Sequence, residues 1–81
     1  MTPLPQFTPT ESRILDKLSD GERHTPEELA RVIDEYAEVG TVRVHLVSIR
    51  KKLNGIGQHI VSEWTGKDYM YRHVRLLHSV G

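Results

Sequence analysis

Arg50, Lys51 and Lys52 stand three in a row, seven residues after Arg43, with His45 and Ser48 between. These are the side chains of this chain best suited to chemistry with an anion. A guanidinium presents a planar fork that matches two acceptor oxygens at once, and an ammonium acts as a point charge. Lys67, Arg72 and Arg75 extend the set towards the C-terminus. On a helix, three consecutive residues spread over about 200°, so Arg50, Lys51 and Lys52 cannot all address one partner.

Catalytic and metal chemistry find no such footing. His73 and His78 lie five apart in a segment that begins as a strand, off the i, i+4 spacing of helical ligands, and no cysteine occurs. Serine, histidine and aspartate are present, yet nothing has the spacing of a nucleophile elbow, a phosphate loop or a paired acid and base. The expectation is a binding protein and not an enzyme, with no metal, no cofactor and no small-molecule substrate. Lacking cysteine, a domain of 81 residues must rely on packing for its stability.

The formal net charge of zero conceals a division. Residues 1–40 hold nine acids against four bases, a balance of −5, and residues 41–81 hold seven bases against two acids, a balance of +5. Four of the five histidines also fall in the second part. A polyanion meets the local field of one face, so a dipolar chain permits nucleic-acid contact where a uniformly neutral one would not. No apolar run approaches the roughly 20 residues that cross a bilayer, and the N-terminus lacks a basic stretch followed by an apolar one. No membrane partner and a cytoplasmic location are expected.

The elements that must position these cations are legible in turn. Thr8, Pro9 and Glu11 form a capping box that opens a helix over about 9–19, with Ile14, Leu15 and Leu18 on one face and Gly21 as its end. The signature repeats at Thr25-Pro26-Glu27-Glu28, followed by Leu29, Val32, Ile33 and Tyr36 at helical spacing, with Gly40 closing the segment. A third helix begins near Thr41 and ends at Asn54-Gly55. Its core stripe is Val42, Leu46, Ile49 and Leu53. Helical arithmetic then turns Val44 and Lys51 outward, flanked by Arg43, Val47, Ser48 and Arg50. After residues 55–59 the period changes to two. Ile60–Trp64 and Tyr69–Val74 read as paired strands joined at Thr65-Gly66-Lys67-Asp68, where Gly66 supplies the positive φ of a hairpin turn. Two strands are marginal alone, so the hairpin must lean on the helices, and Phe7 is a candidate third strand. Trp64 is expected to plug the core beneath the hairpin rather than to serve as a stacking platform. Residues 1–6 read as a flexible leader, 7–77 as the domain and 78–81 as a tail.

Three helices followed by a β-hairpin describe an α+β, mainly α, winged helix-turn-helix. The chain resembles the effector domains of OmpR/PhoB-type response regulators over about residues 7–72. The matching stretches are Phe7-Thr8-Pro9-Thr10-Glu11, Thr25-Pro26-Glu27-Glu28-Leu29, Thr41-Val42-Arg43-Val44-His45-Leu46 leading into Ile49-Arg50-Lys51-Lys52-Leu53, and the hairpin tip at Gly66 and Tyr69. Arg43 stands where that family usually has an acid, Ser48 where it often has an arginine, and Asp68 follows Gly66 where a second glycine is common. A receiver domain is not expected, so control by phosphorylation is not implied.

The resemblance implies double-stranded DNA as partner and transcription regulation as role, in the cytoplasm of a prokaryote or a phage-infected host. The third helix, about 41–54, would enter the major groove and the wing, about 60–75, would lie on backbone or minor groove. Arg43, Val44, His45, Val47 and Ser48 would touch bases. Thr25, Arg50, Lys51, Lys52, Lys67 and Arg72 would touch phosphates. The acidic first two helices would face away from DNA, towards a protein partner or a second copy in a homodimer. One alternative is a winged-helix protein-interaction module that uses the Val44/Val47 face, and another is RNA binding through the wing.

Overall fold

The computed structural model describes residues 6–75. The flanking residues of the expected leader and tail, His78 among them, lie outside that range.

Thr8 starts helix α1 (Pro9–Leu18) as its box implies: the Glu11 amide donates to Thr8 Oγ1 at 3.2 Å and the Thr8 amide donates to Glu11 Oε1 at 2.8 Å. Thr25 starts α2 (Pro26–Ile33) with half of that arrangement. The Glu28 amide donates to Thr25 Oγ1 at 3.1 Å, but the Glu28 carboxylate turns to the ring of His24.

Helix α2 ends a turn and more before Gly40, and Tyr36, expected on its core stripe, is 83 % exposed. Asp34 is the cause. Its backbone is extended, and its Oδ1 accepts from the Tyr36 amide at 3.2 Å. That local side-chain turn competes with the helix and wins. Helix α3 (Val39–Asn54) therefore starts two residues earlier than Thr41, Gly40 lies inside its first turn, and Glu38 at its N-cap makes no side-chain capping bond.

The core forms where the three stripes meet: Ile14 and Leu18 from α1, Leu29 and Ala30 from α2, and Val42, Leu46, Ile49 and Leu53 from α3. All four predicted α3 positions are buried. Strands β1 (Gln58–Trp64) and β2 (Tyr69–Arg75) pair antiparallel, with Ile60 opposite His73, Ser62 opposite Tyr71 and Trp64 opposite Tyr69. Ile60, Ser62, Trp64, Tyr69, Tyr71 and His73 thus share the face turned to the helices, and Ile60 and Tyr71 complete the core. The turn closes through the Thr65 amide on the Asp68 carbonyl at 3.0 Å, with Gly66 at φ 93° as the first of two loop residues. Three helices and a wing make this an α+β, mainly helical chain with winged-helix topology.

Phe7 does not supply a third strand; it packs against the core instead. His24, between α1 and α2, takes that place. Its amide donates to the Tyr71 carbonyl at 2.9 Å and its carbonyl accepts from the Tyr71 amide at 2.8 Å, an isolated bridge that ties the wing to the helices. No helix among the described residues is long and apolar enough to cross a membrane.

Candidate functional site

Core burial of Val42, Leu46, Ile49 and Leu53 divides the rest of α3 into a crest and two flanks. The crest carries Val44, 70 % exposed, Val47, 55 % exposed, and the exposed Lys51. These three expected contacts stand on open surface.

One flank leans on α1. Lys52 Nζ pairs with Glu11 Oε1 at 2.5 Å and stands 5.6 Å from the centre of the Phe7 ring. Ser48, one turn earlier, also helps to lower the pKa of Glu11. Lys52, expected at a phosphate, thus pairs within the chain, and Ser48, expected at a base, is half-buried on this flank. Glu11 is only 2 % exposed. Burial alone would raise its pKa, but hydrogen bonds from Lys52, Ser48 and the Thr8 amide, with the Lys52 charge, outweigh it and hold the carboxyl at about 2. His45 is half-buried on the same flank by its spacing from Ser48 and Lys52.

The other flank leans on the wing. Arg50 Nη2 donates to Ser62 Oγ at 2.7 Å, and its guanidinium lies 5.9 Å from the centre of the Tyr71 ring. Arg50 therefore fastens α3 to the inner face of the hairpin. On the outer face, Glu63 sits between Arg23 at 3.2 Å and Arg72 at 3.4 Å. Arg72, expected at a phosphate, lies beside a carboxylate, and Thr25 is occupied in capping α2.

Arg43 and Lys67 are brought together. They line one cleft of about 150 Å³, with Pro26 and Glu27 from the start of α2, Val39 from the start of α3, and Trp64, Asp68 and Tyr69 from the wing tip. Neither cation has an ion pair or hydrogen bond among the described residues. The cleft also corrects the expectation for Trp64. The residue is on the core side of its strand, but it borders the open cleft, is 60 % exposed and meets Tyr69 at 4.9 Å between ring centres. Strand alternation places the ring on the right face and says nothing about where the helices stop.

Sequence reasoning also missed His24. Its Nδ1 lies 2.7 Å from Glu28 Oε2 and its Nε2 lies 3.0 Å from Asp20 Oδ1. Carboxylates only accept, so the ring serves both as a doubly donating imidazolium. Burial disfavours that charge, but the bonds and charges of Asp20 and Glu28 prevail and raise its pKa above 6.5. The i, i+4 spacing of Asp20, His24 and Glu28 was the available signal. Among the described residues no group of three or more histidines and acids is placed to hold a metal ion.

Comparison with family models, curated proteins and solved structures finds no match to this chain.

Proposed function

We propose that this chain is a winged helix-turn-helix module that binds double-stranded DNA and regulates transcription, as the response-regulator effector domains it resembles would imply. The observation that carries the reading is the convergence of two cations without partners among the described residues, Arg43 of α3 and Lys67 of the wing tip, on one cleft beside the exposed crest of Val44, Val47 and Lys51. A helix crest of this kind can reach base edges in the major groove while a lysine at the hairpin tip meets the neighbouring backbone. Val44 and Val47 suit thymine methyl groups, and Arg43 can form a forked contact to guanine. Eight of the nine acids of the first half are exposed; Glu27 lines the cleft itself, and the others could serve a protein partner or a second copy.

The test is duplex binding across a salt series, with selection from a random duplex pool to find the site. Arg43→Glu combined with Lys51→Glu is expected to weaken binding by roughly ten- to a hundredfold or more, and rising salt to weaken it steeply. Binding that ignores both would refute the reading. A protein-interaction module is the second reading, favoured by the exposure of Val44 and Val47 and by the internal pairing of Lys52 and Arg72. It requires salt-insensitive association with a protein, lost on Val44→Asp alone.

A further inference from the structure

The wing tip exposes more aromatic surface than a hairpin needs. Trp64 and Tyr69 are 60 % and 52 % exposed, and their rings meet at a tilt of 58°. They open onto the cleft that also holds Arg43 and Lys67, together with the carboxylates of Glu27 and Asp68.

This mixture of charge selects among nucleic-acid groups. The cations suit phosphates. The carboxylates would repel a phosphate but accept hydrogen bonds from the exocyclic amino groups of a base. At about 150 Å³ the cleft is smaller than pockets that enclose a whole small molecule, and suits one ring inserted from outside. A base inside a continuous duplex is stacked and paired and cannot reach it. An unpaired base can stack on an exposed indole.

We propose that the cleft takes an unpaired nucleotide at the end of a DNA duplex, its base on Trp64 and a flanking phosphate on Lys67. The proposal rests on the duplex-binding reading and adds to it a preference for ends that carry a short single-stranded extension.

Trp64 is the sole tryptophan, so its emission reports on the site directly. The full chain is titrated with a blunt duplex and with the same duplex bearing a short extension, following both Trp64 emission and the anisotropy of end-labelled DNA. The extended duplex is expected to bind about tenfold tighter and to quench Trp64. Trp64→Ala should abolish the preference for the extended duplex, and Trp64→Phe should keep most of it. Equal affinity for the two duplexes with unchanged emission overturns the proposal and leaves the duplex reading standing. Failure to bind either duplex removes both. The wild-type comparison holds whether or not Trp64→Ala folds.

Discussion

Glu11 ties the start of α1 to α3 through one carboxylate. It closes the capping box of α1, accepts from Ser48 and pairs with Lys52, 41 residues away. A buried carboxylate is costly unless its charge is answered, and here it is answered several times. Its pKa falls from 4.5 to about 2, which corresponds to about 3 kcal/mol of stability. The group is depressed on folding, so that contribution is complete above the unfolded value of 4.5 and is lost as pH falls towards 2. Glu11→Gln keeps the shape and can still complete the cap. It is expected to cost about 3 kcal/mol at neutral pH and to flatten the acid limb of the stability curve. Guanidinium melts of both chains at a series of pH values measure this, and equal acid limbs would show that the Glu11 charge stabilises nothing.

The wing is the element that most needs support, because two strands alone are marginal. His24 supplies part of it through the two backbone bonds to Tyr71, while Asp20 and Glu28 hold its ring from either side. Lys17 adds its field at Asp20, whose own pKa is lowered chiefly by the Glu22 amide and then by His24. A raised histidine stabilises fully below its unfolded value of 6.5, and the effect is lost as pH rises through the higher folded value. Wild-type Tm should therefore drop as pH climbs above 6.5, while His24→Gln should start lower and stay flat through that window. Differential scanning fluorimetry over pH reads the contrast, and parallel curves would refute it. Local signals gave this architecture away: the threonine caps at Thr8 and Thr25 and the α3 stripe each need only a few neighbouring residues to be read. What escaped was set by competition or by distance. Asp34 offers the backbone a rival turn, and the exposure of Trp64 depends on where three helices end in space.

At the scale of the whole molecule, the acidic and basic halves are not simply opposed, because folding uses several cations of the second half as fasteners. Lys52 reaches back 41 residues to Glu11, Arg50 fastens α3 to the wing at Ser62, and Arg72 pairs with Glu63 on the neighbouring strand. Helical spacing already separates Arg50 from Lys52, but only the fold shows which partner each one reaches. Arg43, Lys51 and Lys67 remain without partners among the described residues. If duplex binding is carried by these three, they set its salt dependence, with a slope of roughly 0.9 per phosphate neutralised. Lys67→Gln should then reduce the magnitude of the slope of log affinity against log salt by about one and leave Tm unchanged. Lys52→Gln should do the reverse, since it strands the buried Glu11 carboxylate: Tm falls and the slope stays as it was. Measuring both quantities for both variants separates cations that hold the protein together from cations that hold DNA. A slope that falls equally in the two variants would mean that Lys52 leaves Glu11 for the duplex, and that the fastening of α3 to α1 yields to binding.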